Sequence, residues 1–147
     1  MKTDYIIKEM DQTYFDSSVG FLETLANLSE VGDITVTDAK KIISKINSQM
    51  GHVYIAVNKD GQIIGATTII IEQKFIHHGG KVGHIEDVVT RKGYEKIGVG
   101  TALMEKALET AKMSSCYKVI LDCSDELINF YEKLGFRVHA NCMRMDL

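Results

Sequence analysis

The stretch Val82-Gly83-His84-Ile85-Glu86-Asp87-Val88-Val89-Thr90, running on into Arg91-Lys92-Gly93-Tyr94-Glu95-Lys96-Ile97-Gly98-Val99-Gly100, decides how this chain is read. The first nine residues are rich in β-branched types and read as a strand. The next ten hold three glycines and no apolar period, which is a loop. Beyond them Val99, Leu103, Ala107 and Ala111 share one face of a helix running from Gly98 to Lys112. Strand, glycine loop and helix together receive anions. Small residues let the backbone come close, and the unpaired N–H groups of the first helical turn point at the ligand. Arg91, Lys92 and Lys96 add local positive charge. Two stronger phosphate motifs fail here. A Walker loop needs Gly-Lys-Ser/Thr after its glycines, and none follows. A dinucleotide fingerprint needs a tight turn directly after the strand and a small residue where Leu103 stands, although Asp122 does close the next strand with an acid.

Working outward, Val53 to Val57 and Ile63 to Glu72 are β-prone runs separated by Asn58-Lys59-Asp60-Gly61, whose Asp-Gly signals a hairpin. Tyr5 to Lys8 reads as a short first strand. Phe15, Val19, Leu22, Leu25, Ala26 and Leu28 predict an amphipathic helix over residues 13–28, ending near Val31-Gly32. A second helix follows Thr35 to Thr37, carried by Ala39, Ile42, Ile43 and Ile46. His77-His78-Gly79-Gly80 is a turn before the quoted strand. After the long helix come a strand at Lys118 to Asp122, a short helix over 125–134 stopped by Gly135, and a last strand from Phe136 to Met143. Hairpin strands followed by βαβαβ give an α/β (α+β) domain with a mixed sheet covered by helices.

Composition narrows the function. The 147 residues, 45% hydrophobic, suit one domain over residues 1–147. At an average usage of about 5% the chain would hold about seven prolines; it holds none, which excludes collagen-like and Pro-rich linker readings. A net charge of −3 provides no global field for nucleic acid or an anionic membrane. No apolar run approaches a membrane span, Met1-Lys2-Thr3-Asp4 opens no signal-peptide core, and a cytoplasmic location is expected. Cys116, Cys123 and Cys142 form no C-x-x-C and read as free thiols. His52, His77, His78, His84 and His139 lack ligand spacing, so no metal is expected.

Three polar positions stand out among apolar neighbours. Glu86 and Asp87 lie mid-strand, and strict alternation sends them to opposite faces. Burying a carboxylate is costly unless it is paired, so they mark either a solvated edge or a polar site at a break in the sheet. Asp122 ends a strand, and Tyr131 follows nine residues later on a short helix, a setting in which tyrosine is ordinarily core.

The order strand, glycine loop, long helix, strand, Phe-Tyr-x-Lys-x-Gly-Phe and final strand resembles the GNAT superfamily of N-acetyltransferases. More narrowly, Gly83 to Val89, Cys116-Tyr117-Lys118-Val119-Ile120-Leu121-Asp122-Cys123 and Phe130-Tyr131-Glu132-Lys133-Leu134-Gly135-Phe136 are similar to the glucosamine-6-phosphate N-acetyltransferase family. So are Leu28-Ser29-Glu30-Val31-Gly32 and Lys74-Phe75-Ile76-His77, so the likeness spans nearly the whole chain. It implies a mostly antiparallel sheet with a splayed parallel pair, acetyl-CoA as co-substrate in the split, and a homodimer. The implied reaction is direct acetyl transfer to the 2-amine of glucosamine 6-phosphate, a step toward UDP-N-acetylglucosamine. Carried over, Arg91 and the segment Lys96, Ile97, Gly98, Val99, Gly100 and Thr101 hold the pyrophosphate. Val88 and Val89 pair with the pantetheine arm. Glu86 and Asp87 bind sugar hydroxyls and amine, Asp87 and Asp122 help orient or deprotonate the amine, and Tyr131 meets the sulfur. Leu28, Ser29 and Lys74 are the candidates for the 6-phosphate, with Arg144 from a second subunit.

Three positions depart from the pattern. Glu95 stands where Arg or Gln is usual, Leu127 where Asn is common, and Arg144 lies two positions from its expected place. Two other readings stay open on residues alone: the same fold acting on a polyamine or protein N-terminus, and a non-enzymatic acetyl-CoA-binding domain.

Overall fold

A computed structural model of the chain describes residues 4–17 and 20–147. The opening tripeptide considered for a signal sequence, and Ser18 and Val19 of the expected first helix, lie outside the described residues. Five strands, β1 (Tyr5–Glu9), β2 (Gly51–Asn58), β3 (Ile63–Gln73), β4 (Lys81–Thr90) and β5 (Cys116–Ile120), form one sheet in sequence order. The pairs β1/β2, β2/β3 and β3/β4 are antiparallel; β4/β5 is parallel. The helices are α1 (Tyr14–Ser17), α2 (Phe21–Leu25), α3 (Val36–Ser48), the single turn α4 (Ile76–Gly79), α5 (Val99–Met113) and α6 (Ile128–Glu132). The mixed, mostly antiparallel sheet flanked by helices matches the expected class.

Alternation along β2 builds two cores. Tyr54 and Ala56 face α5 and join Ile69, Ile85, Leu103, Met104 and Ala107 in one buried cluster. Val53, Ile55 and Val57 face α2 and α3 and join Met10, Ile43, Ile63, Ala66 and Val89 in the other. The α3 start is fixed by a capping box: Thr35 Oγ1 accepts from the Asp38 N–H at 3.1 Å, and the Asp38 carboxylate accepts from the Thr35 N–H at 3.2 Å. The Asp-Gly hairpin is present between β2 and β3, with the Gly61 N–H donating to the Asn58 carbonyl at 3.0 Å.

Two expectations are corrected. The single helix over 13–28 is α1 and α2, with Gly20 at φ 103 outside helical geometry before Phe21. The last strand, Phe136 to Met143, does not form. Ladder bonds need a neighbouring edge, and within one chain none pairs with this segment, which has no regular structure. Its side chains Val138 and Met143, and Met145 beyond it, are exposed. The turn before it is as read: the Phe136 N–H donates to the Tyr131 carbonyl and the Gly135 N–H to the Glu132 carbonyl, a helix stop that places Gly135 at φ 93.

Candidate active site

The site begins where β4 and β5 part. Lys81 to His84 pair with Cys116 to Ile120, and no pairing continues beyond His84 and Ile120. Antiparallel pairing with β3 nevertheless carries β4 on to Thr90. The β4 edge from Ile85 onward therefore has no strand beside it, and Asp122 lies just past the end of β5 on the other lip.

A bulge sits at the same place. Ala66 and Thr68 of β3 oppose Val89 and Glu86 of β4, so two steps on one strand meet three on the other. The extra residue is accommodated at Asp87, whose φ is +53. Ile85 and Val88 consequently both pack in the α5 core, three residues apart. The expected split of Glu86 and Asp87 between opposite faces is thereby overturned, because the bulge holds both acids off the α5 side. Asp87 lines a cavity of about 150 Å³ under α2 and α3, with Thr68, Ala66, Phe21, Leu25 and Ile43. Glu86 has its pKa pushed up, first by desolvation and then by repulsion from Asp122 and Asp87. Three carboxylates thus converge on the mouth of the split and favour a cationic or hydrogen-bond-donating guest.

The loop from Arg91 to Gly98 delivers the start of α5 to this split. Gly98 caps the helix at φ 91 without any side-chain hydrogen bond, leaving the first-turn N–H groups available to a ligand. Lys96 is also left-handed, at φ 64, which turns the backbone twice within three residues. Glu95 folds back and accepts from the Gly93 N–H at 2.7 Å, so it closes the loop rather than facing an anion. Lys92 and Lys96 are exposed, whereas the Arg91 guanidinium packs against Gly20, with Nη1 buried and unpartnered among the described residues. Free N–H groups, two exposed lysines and a close-approach glycine fit a diphosphate. Gly100 faces Phe130, where a Cβ would lie 3.4 Å from the ring.

Tyr131 is 7% exposed, its ring edge-on to Phe130 at 4.9 Å and to Phe136 at 6.0 Å. Its hydroxyl has no hydrogen-bond partner among the described residues. Burial, and then the neighbouring Cys123 thiol, push its pKa above the ordinary value, so it keeps its proton.

The remaining candidates are not gathered at one point. Thr24 Oγ1 donates to the Ile63 carbonyl at 2.8 Å and Asn27 Nδ2 to the Thr90 carbonyl at 2.7 Å, which ties the Leu28–Ser29 segment toward the C-terminal end of β4. Lys74 lies toward the other end, beyond the Gln73/Lys81 pair, and bonds Glu72 at 2.8 Å. Arg144 is on the exposed C-terminal segment and pairs locally with Asp146. Glu72 was missed in the sequence, although Glu72-x-Lys74 is the same-face spacing of a strand.

Residues 19–136 match the acetyltransferase (GNAT) family model. The chain belongs to the GNAT family. GNAT enzymes draw their acyl group from acetyl-CoA, and this GNAT chain is an N-acetyltransferase. Among its relatives, a protein named glucosamine 6-phosphate N-acetyltransferase from Trypanosoma brucei brucei is 36% identical over 142 residues, covering 97% of this chain and 93% of that protein. One of the same name from Candida albicans is 36% identical over 135 residues, covering 90% and 89%. The crystal structure of glucosamine-6-phosphate N-acetyltransferase from Arabidopsis thaliana superposes with a TM-score of 0.91 at 30% identity, covering 97% and 98%. Among the described residues of this GNAT domain no helix is long and apolar enough to cross a membrane, and no group of His, Cys, Asp and Glu is placed to hold a metal.

Proposed function

We propose that the protein transfers the acetyl group of acetyl-CoA to the 2-amine of glucosamine 6-phosphate, giving N-acetylglucosamine 6-phosphate and CoA. The observation that carries this reading is the carboxylate-lined mouth at the β4/β5 split, directly beside an uncapped helix start, in a chain over a third identical to enzymes of that name. The backbone N–H groups of the loop and first helical turn, from Lys96 to Thr101, take the pyrophosphate, and the open β4 edge at Val88 and Val89 pairs with the pantetheine arm. Glu86 and Asp87 hold the sugar's hydroxyls and amine. Asp122 helps orient and deprotonate the amine.

Transfer is direct. The amine nitrogen adds to the thioester carbonyl, forming the C–N bond and moving the carbonyl π pair onto oxygen, and its proton passes through the Asp122 region to solvent; the oxyanion then collapses and breaks the C–S bond, and Tyr131 protonates the departing sulfur and is reprotonated from water. Backbone N–H at the bulge stabilises the oxyanion. Holding amine and thioester together is worth up to about 7–11 kcal/mol in well-oriented systems. Lys74 meets the 6-phosphate. The exposed apolar C-terminal segment supports a homodimer in which this arm crosses to a second copy and brings Arg144 with it. Three unpaired cysteines support a cytoplasmic location.

The test is release of free CoA with glucosamine 6-phosphate, glucosamine, a polyamine and an N-terminal peptide as acceptors. Turnover of the sugar phosphate far above the others is expected; equal rates with glucosamine overturn the phosphate assignment, and faster peptide or polyamine turnover overturns the acceptor.

A further inference from the structure

Glu72 uses both of its carboxylate oxygens. Oε1 accepts from Lys74 Nζ at 2.8 Å, and Oε2 meets His84 Nε2 at 2.5 Å. His84 is on β4, two residues before Glu86, and pairs with Ile70 of β3. One oxygen thus fastens Glu72 to the centre of the sheet while the other holds the ammonium of a residue just past the strand end. Lys74 begins a loop that closes on itself, with the Lys74 N–H donating to the Gly80 carbonyl at 2.8 Å. Within that loop the His77 ring stacks at 4.1 Å on Tyr117 of β5. The backbone beneath Lys74 is therefore fixed, and what remains free is its four-carbon stem.

We propose that Glu72 is a positioning residue: anchored by His84, it holds the Lys74 ammonium ready for the acceptor's phosphate and so sets the preference for a phosphorylated over an unphosphorylated amino sugar. The inference rests on the assignment of Lys74 to the 6-phosphate. A lysine side chain loses much rotamer entropy when it is fixed, and an ion pair that already restricts the stem lowers the ordering cost at binding. An ammonium has three donors, so one bond to Glu72 leaves two for phosphate oxygens. Stability is a poor explanation for the pair, since both side chains are partly open to solvent, at 33% and 41%, and such pairs contribute little. Simple electrostatics predicts the opposite sign: an acid beside the lysine repels phosphate, and removing it tightens binding.

The experiment is a double-mutant cycle with Glu72→Gln and Lys74→Met in the full chain, measuring KM for glucosamine 6-phosphate, glucosamine and acetyl-CoA. Glu72→Gln is expected to raise KM for glucosamine 6-phosphate about ten-fold, the scale of one charged hydrogen bond, while KM for glucosamine and acetyl-CoA moves less than about two-fold. The melting temperature is expected to shift by less than about 3 °C. In the Lys74→Met background Glu72→Gln adds nothing further, because it acts through that lysine. A fall or no change in KM for the sugar phosphate, an equal rise for both sugars, or additive losses in the double variant overturns the positioning role. Unchanged discrimination in Lys74→Met alone removes the Lys74 assignment itself, which separates the two failures.

Discussion

Replacing Tyr131 by Phe isolates a single hydroxyl. The ring is almost fully buried and its edge-on contacts to Phe130 and Phe136 are made by carbon, so Phe preserves them. No hydrogen bond among the described residues is lost, and the change in stability is expected to stay within about 0.5 kcal/mol, a melting shift of no more than about 2 °C. Turnover is different. A positioned general acid contributes about 10²–10⁴-fold, so kcat is expected to fall about 100-fold, equivalent to about 2.7 kcal/mol of barrier. The KM for acetyl-CoA stays near its starting value, because the hydroxyl acts on the departing sulfur. Burial raises the tyrosine pKa above its ordinary 10.0, so the acid form is intact throughout the neutral range. The alkaline fall of wild-type kcat that belongs to this group is therefore displaced to higher pH than for an ordinary tyrosine, and the variant lacks it. Stopped-flow or coupled measurement of CoA release against pH, together with thermal unfolding, decides the matter. A kcat within threefold of wild type, or a loss of turnover accompanied by a large fall in melting temperature, refutes the acid role.

Glu86→Gln trades stability against turnover. The raised Glu86 pKa means the folded protein disfavours its charged form; the stability this group confers is full below its ordinary 4.5 and lost as pH rises through the folded value. At pH 7 the variant is expected to be more stable than wild type by up to about 1 kcal/mol, with the difference vanishing below pH 4 and sugar KM raised; denaturation at the two pH values checks it. Gly98→Ala forces an alanine to φ 91 and is expected to cost about 1–2 kcal/mol in urea unfolding and to raise KM for acetyl-CoA, because the first-turn N–H groups move with the strained residue. Removing residues 137–147 is expected to convert a dimer to a monomer in sedimentation and to weaken glucosamine 6-phosphate binding; a monomeric full chain refutes the crossing arm.

The sheet, the long helix and the loop between them were legible because each has a local signature: an unbroken β-prone run along Val53–Val57, a helical period along Val99–Ala111, and glycine where that period stops. The bulge was not. One additional residue in a strand leaves no trace in composition, and an Asp at positive φ is only a faint signal since Asp tolerates that region better than most residues. The final strand was misread for a related reason: alternation reports that a segment has two unlike faces but not whether a partner edge exists in the same chain. The break before α2 did have a signal in Gly20, in the middle of an otherwise helical pattern. The carboxylates, Asp122 and Tyr131 were placed by sequence words, whereas the Glu72 bridge needed the sheet register that brings β3 beside His84.

The Asp87 bulge also resets the parity of β4. Before it, odd-numbered residues such as Gly83 and Ile85 look toward α5; after it, even-numbered residues such as Val88 and Thr90 do. Run as an unbroken alternation without the bulge, the same residues would turn one half of the strand inside out. Either Ile85 would surrender its place in the core, or Thr90 and the loop behind it would leave the sheet on the wrong side. The side of the sheet on which the anion-receiving helix begins is thus held by the bulge that takes up the additional residue between Ile85 and Val88.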